Sequence, residues 1–258
     1  MQDLKGKIAL VTGVANKRSI AFAIAERLAQ YGTTLALAFQ PMGKENSENK
    51  LRKTVESISP DLLLAMDVAD SDSVREVFKT IKDKWGRLDI LVHSMASAKR
   101  EELGGRTSDI SLEGYLLAQH ISAYSLIELA RNARPLMEEH GGSIMSLTYI
   151  GSERATNNYN VMGSAKAALE ANTRYLAMEM GEQNIRVNAI SAGPIRTLSA
   201  SGIKDFLDLL HNAAEKSPLG RNVTQEEVAN AAAFLGSSLS SGITGQVLHV
   251  DGGYNIWG

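Results

Sequence analysis

The chain has 258 residues, 44% hydrophobic and 22% charged, which is ordinary for a soluble globular protein and within reach of a single α/β unit. A formal net charge of −2 leaves no basic footprint for nucleic acid. The absence of cysteine excludes disulfides, thiolate catalysis and zinc–thiolate sites.

The amino-terminal run MQDLKGKIALVTG has no long apolar segment ahead of a cleavage site. No run approaches the ~20 apolar residues of a membrane span. A cytoplasmic chain with no membrane or nucleic-acid partner is expected. Residues 7–12 (KIALVT) form the first short apolar run, ended by Gly13. Residues 19–31 carry apolar side chains at helical spacing through Ile20, Ala23, Ile24 and Leu28, and Gly32 stops them. Residues 34–39 are the second strand, 45–58 a polar helix and 61–66 the third strand. An amphipathic helix follows over 71–85, then a fourth strand over 88–92 and a long helical stretch over 111–139, read as one or two pieces. Strand five (143–147), a helix over 157–180, strand six (185–190), a helix over 224–235 and strand seven (247–250) complete the alternation.

Short strands without polar alternation mean that both sheet faces are covered. Strands alternating with helices imply right-handed crossovers and parallel pairing. The fold class is therefore α/β: a single-domain, doubly wound, Rossmann-type sheet of about seven parallel strands with helices on both faces. Two stretches read as mobile surface, residues 95–109 and 194–217.

In such a sheet, ligands bind beyond the carboxyl ends of the strands. After strand one, Gly13 would let backbone approach a diphosphate, and Ser19 opens a helix whose free N–H groups favour anions. The G-x-G-x-x-G spacing is absent, so a plain turn with a serine cap stays open. Strand two ends in Gln40, where this fold often places an acid for ribose hydroxyls or an arginine for a 2′-phosphate. An amide with Pro41 behind it leans towards the unphosphorylated cofactor, although Arg18 and Lys44 are within a few residues of the loop ends. Strand three ends in Asp67-Val68, either an adenine contact or a turn or cap. Strand four runs into His93-Ser94-Met95-Ala96, where small residues would let backbone lie along a cofactor and His93 reads as a structural histidine. Beyond strand six, Gly193-Pro194 turns the chain out of the sheet. Ile195 could then meet a carboxamide and Thr197 a diphosphate.

Tyr159 and Lys166 are seven residues apart. At about 100° per residue the pair falls ~20° short of two full turns, with about 10 Å of rise between them. In a helix, phenol and ammonium share a face, with Tyr149 just upstream where strand five gives out.

These features resemble the short-chain dehydrogenase/reductase superfamily: the glycine-poor first loop, the tyrosine–lysine pair, NAISAGPIRT (residues 188–197) and VDGG (residues 250–253). Within it the chain resembles the bacterial and plastid enoyl-[acyl-carrier-protein] reductases of type II fatty-acid synthesis. Tyr159-x6-Lys166 replaces the commoner Tyr-x3-Lys, and Tyr149 stands near the place of the usual catalytic serine. NYNVMGSAKAALEAN (158–172) and ISAGPIRTLSASGIKDF (190–206) also match.

The resemblance implies NADH-dependent reduction of a trans-2-enoyl thioester. Tyr159 would donate to the thioester oxygen, Lys166 would bind the nicotinamide ribose, and Tyr149 would line the acyl pocket. Gly13, Ser19, Ile20, Gln40, Asp67, Val68, Met95, Lys166, Ile195, Arg196, Thr197, Leu198 and Ser199 would hold the cofactor, with NADPH not excluded. Ala98 would lie near the acyl chain and residues 194–217 would form a substrate-binding lid. The resemblance also implies an acyl-carrier-protein partner, with Lys204 or Arg196 as candidate contacts, and a homotetramer. No metal is implied. Two alternatives stay open on the sequence: a 3-oxoacyl or other carbonyl reductase of the same superfamily, and a non-catalytic dinucleotide-binding regulator.

Overall fold

The computed structural model describes residues 2–41, 45–197 and 200–257. Its sheet has seven parallel strands in the order β3-β2-β1-β4-β5-β6-β7. They are β1 (Ile8–Thr12), β2 (Thr34–Phe39), β3 (Leu62–Ala65), β4 (Ile90–His93), β5 (Gly142–Thr148), β6 (Ile185–Ala192) and β7 (Val247–Val250). The order reverses between β1 and β4, which opens a crevice at their carboxyl ends.

Strand pleating sends alternate residues to two cores. Ile8 and Leu10 of β1 join the core under α3 (Ser71–Trp85), α5 (Ser125–Met137) and α6 (Asn160–Met180). Ala9 and Val11 join the opposite core, under α1 (Ile20–Gln30), α2 (Glu45–Val55) and α8 (Gln225–Gly236). Both faces are thus covered, which is why the strands read as apolar runs. Thr224 caps α8 in a reciprocal capping box with Glu227. No helix among the described residues is long and apolar enough to cross a membrane.

Two local expectations are corrected and one is sharpened. The helix carrying Lys166 begins at Asn160 rather than at 157, because Asn158 takes a left-handed conformation (φ 58°) and Tyr159 sits at the cap with φ −134°. The 111–139 stretch, expected as one or two helical pieces, is two: α4 (Leu112–Gln119) and α5, joined by a π turn at His120–Tyr124. The 194–217 segment, read as mobile surface with no helix assigned, contains α7 (Phe206–Lys216). The 95–109 stretch is also tied down: Glu102 accepts from the Ser111 backbone (3.1 Å) and hydroxyl (2.5 Å), and Lys99 pairs with Glu113 at 2.7 Å.

Candidate active site

The crevice holds two adjoining cavities. One, of about 270 Å³, is lined by Gly13, Ala15, Ser19, Ile20, Gln40, Ser94, Met95, Ala96, Leu147, Lys166 and Thr197. The other, of about 430 Å³, is mostly apolar and is lined in part by Ala98, Leu103, Tyr149, Tyr159, Met162, Ile195, Ile203, Phe206 and Leu209. Ile20, Ala96 and Thr197 line both. The first runs across the ends of β2, β1, β4 and β5, the course of an extended dinucleotide in this fold.

That first cavity fits a dinucleotide on its backbone geometry. Gly13 has φ +79°, and a Cβ there would lie 1.9 Å from the carbonyl oxygen of Ser94. Thr12 stitches the same two strand ends: its hydroxyl donates to Val92 O at 3.0 Å and accepts from Ser94 N at 3.1 Å. Ser19 caps α1 through Phe22 N, which leaves the remaining free N–H groups of that helix end beside Gly13. Gln40 is exposed at the edge of the cavity. Asp67 and Val68 line neither cavity. Asp67 accepts from Ala69 N at 2.9 Å, a turn bond, while Asp70 caps α3, and Val68 is buried. Arg196 is exposed and outside both linings, and Leu198 and Ser199 lie outside the described residues.

Tyr159 is placed by its neighbours rather than by helical periodicity. Its side chain makes no capping bond, so the ring is free to enter the apolar cavity. Gly151 packs against it: a Cβ there would lie 2.6 Å from Tyr159 Cδ1. Gly163, inside α6, faces the Gly151 carbonyl, where a Cβ would come within 2.7 Å. The rings of Tyr149 and Tyr159 meet edge to face, with centroids 5.0 Å apart. Burial pushes both phenols above their ordinary range, so both stay protonated donors. Neither hydroxyl has a hydrogen-bond partner among the described residues.

Lys166 opens onto the other cavity while remaining buried. Its Nζ donates to Leu147 O at 2.7 Å. Burial lowers its pKa to about 8, against the opposing pull of Glu170 one turn along α6. Glu170 Oε1 in turn accepts from Thr148 Oγ1 and Ser152 Oγ, each at 2.5 Å. His93 is structural: it is buried, its Nε2 lies 2.7 Å from Ser125 Oγ, and burial together with the Lys166 charge lowers its pKa to about 3.

Sequence reasoning missed Gly151, Gly163 and Glu170. A glycine inside a helix costs about 1 kcal/mol against alanine, so Gly163 did signal a close approach. Glu170 stands at i+4 from Lys166, on the same helical face. Gly151 carried no such signal.

A sequence-family profile described as "Enoyl-(Acyl carrier protein) reductase" matches residues 13–255. The chain is 53% identical over its whole length, and that of the relative, to enoyl-[acyl-carrier-protein] reductase [NADH] FabI of Nostoc sp.. It is 48% identical, again over the full length of both, to the protein of that name from Bacillus cereus. Among solved structures it resembles the B. cereus enoyl-acyl carrier protein reductase with NADP+ and indole naphthyridinone (TM-score 0.95, 46% identity, 100% of both chains). It also resembles the Anaplasma phagocytophilum reductase in complex with NAD (TM-score 0.94, 44% identity, 99% of this chain and 96% of that one).

Proposed function

The chain belongs to the enoyl-(acyl-carrier-protein) reductase family, and we propose that Tyr159, Lys166 and Tyr149 carry its reaction. It reduces the carbon–carbon double bond of trans-2-enoyl-[acyl-carrier-protein] thioesters with NADH, the last reductive step of the fatty-acid elongation cycle. The acyl-carrier protein bearing the enoyl chain is its substrate partner.

One observation carries the site assignment: the two tyrosines face the apolar cavity, Lys166 faces the one at the strand ends beside Gly13 and Ser19, and the two cavities share walls. NADH, when bound, supplies the hydride for the β-carbon. Gly13, Ser19, Ile20, Gln40, Met95, Lys166 and Thr197 are the residues placed to hold it. Negative charge develops on the thioester oxygen, and the Tyr159 hydroxyl is a preorganised donor with no competing partner. Lys166 would hold the ribose hydroxyls, and its charge favours the anion. Tyr149 buttresses the Tyr159 ring and closes the acyl pocket. The α-carbon then takes a proton from solvent or through Tyr159. Gln40 binds hydroxyls without charge, which suits NADH over its phosphorylated analogue.

Residues 194–217 are the lid in this assignment, since Ile195, Ile203, Phe206 and Leu209 wall the apolar cavity. Exposed apolar side chains on α4 (Leu112, Leu116) and α6 (Tyr175, Met178) support a homotetramer, with a four-chain mass expected by light scattering. We place the protein in the cytoplasm, with recovery in the membrane-free fraction as the check.

The test is oxidation of NADH and of NADPH with crotonyl and acetoacetyl thioesters. NADH oxidation with the crotonyl thioester is expected. Turnover of acetoacetyl alone, or of neither with either cofactor, would overturn the assignment. Lys166→Ala should weaken NADH binding roughly 10- to 100-fold, the equivalent of a charged hydrogen bond worth ~1.5–3 kcal/mol. Unchanged NADH affinity would remove the ribose role. Because the ammonium is the useful form and its pKa is lowered to about 8, activity should fall as pH rises through that value. Gly151→Ala should displace the Tyr159 ring and lower kcat about tenfold or more, with only a small loss of Tm. A wild-type kcat would show that the ring does not need this backing.

A further inference from the structure

The carboxylate of Glu170 is buried and holds two hydroxyls on one oxygen, a tie that the reaction just described does not use. Thr148 ends β5, and Ser152 closes the short turn that follows it. Between them lie Tyr149 and Gly151, the second in contact with the Tyr159 ring. The Ser152 hydroxyl is 2.9 Å from Tyr149 O and 2.5 Å from Glu170 Oε1, and its single proton goes to the nearer, charged acceptor. Lys166 holds Leu147 O one residue before Thr148, so α6 grips the last two residues of β5 and the turn that follows them.

We propose that Glu170 is a positioning residue of the reduction, fixing residues 148–152 beneath Tyr149 and Tyr159 and setting its negative charge one helical turn from Lys166. The proposal rests on the site assignment above. Around Lys166, burial keeps His93 of β4 neutral, and the side chains of Gln40, Ser19 and Thr197 that line the cavity are uncharged. Among the described residues, Glu170 is the negative charge acting on the ammonium. Its removal leaves desolvation unopposed and drives the lysine towards its neutral form at lower pH.

Two variants separate the roles. Glu170→Gln keeps an oxygen for both hydroxyls and removes the charge. Its Tm should stay near wild type, while the alkaline limb of kcat moves down by about one pH unit. The same shift should appear in NADH affinity measured by fluorescence titration without substrate, a readout independent of turnover. Glu170→Ala loses the hydroxyl ties as well, and kcat per folded molecule should fall roughly 10- to 100-fold at neutral pH. Wild-type limbs and kcat in Glu170→Gln would overturn the proposal. So would a loss in Glu170→Ala accounted for wholly by unfolding. If Glu170→Ala does not fold, the two limbs of Glu170→Gln decide. Tyr159→Phe belongs in the same series. If it turns over like wild type, the site assignment falls and this proposal with it. If it is slow while Glu170→Gln is unaltered, the role of Glu170 alone falls.

Discussion

Tyr159→Phe should lower kcat by roughly 10²–10³, the usual effect of losing one preorganised donor to a developing oxyanion, equivalent to ~2.7–4 kcal/mol. KM for the enoyl thioester should move little, because the donor matters most where charge has built up. The substitution removes one oxygen and keeps the ring, so the contacts with Gly151 and Tyr149 survive. The hydroxyl has no protein partner among the described residues, so its loss strands no buried group. Tm should therefore equal or slightly exceed that of the wild type. This combination is the useful feature of the experiment. A slow enzyme with full stability identifies a chemical role, whereas parallel losses of kcat and Tm would point to a structural tyrosine. Burial keeps the phenol protonated well above neutral pH, so the variant should retain the alkaline limb set by Lys166.

Gly13→Ala should act on the fold and the cofactor together. The φ of +79° costs a residue with a Cβ ~1–2 kcal/mol. The larger effect is steric. The new carbon would lie 1.9 Å from Ser94 O and 2.8 Å from Ser94 C, both backbone atoms that no rotamer change can move. Relief requires β1 and β4 to separate at their carboxyl ends, against the Thr12 hydroxyl that bridges Val92 and Ser94. A loss of about 3–5 kcal/mol is expected. In a chain of this size that lowers Tm by roughly 10 °C. NADH affinity should drop in parallel, since the same strand ends floor the cofactor cavity. Wild-type values of both Tm and NADH affinity would show that the crevice is more pliable than its geometry implies.

The sheet was legible in the sequence because it depends on short-range rules. Seven apolar runs separated by helical spacing gave seven parallel strands, and the runs lacked alternation because both faces are buried. His93 read as structural for the same reason, as the end of an apolar strand. The α7 helix was missed because Gly202, the small residues before it and the turn at Gly193-Pro194 mask its start, and its cap, Asp205, is left-handed and makes no side-chain capping bond. Asp67 could not be settled, since ligand contact and turn use the same residue type. The structure places its carboxylate on Ala69 N.

The sequence by itself determined the fold class, the absence of thiol chemistry, the glycine at the first strand end and the tyrosine–lysine pair, whose x6 spacing resembles that of the enoyl reductases rather than the commoner x3 of the superfamily. Helical geometry could say only that Tyr159 and Lys166 share a side. The tertiary structure decided that they face two different cavities with a common wall, and that Tyr159 stands at the cap, outside the helix. It also decided what holds them there: Gly151 against the ring, and Glu170 reaching 22 residues back to Thr148 and 18 to Ser152. Periodicity reports neighbours three and four residues apart. Contacts across tens of residues depend on which strand end lies under which helix, and only the packed sheet fixes that.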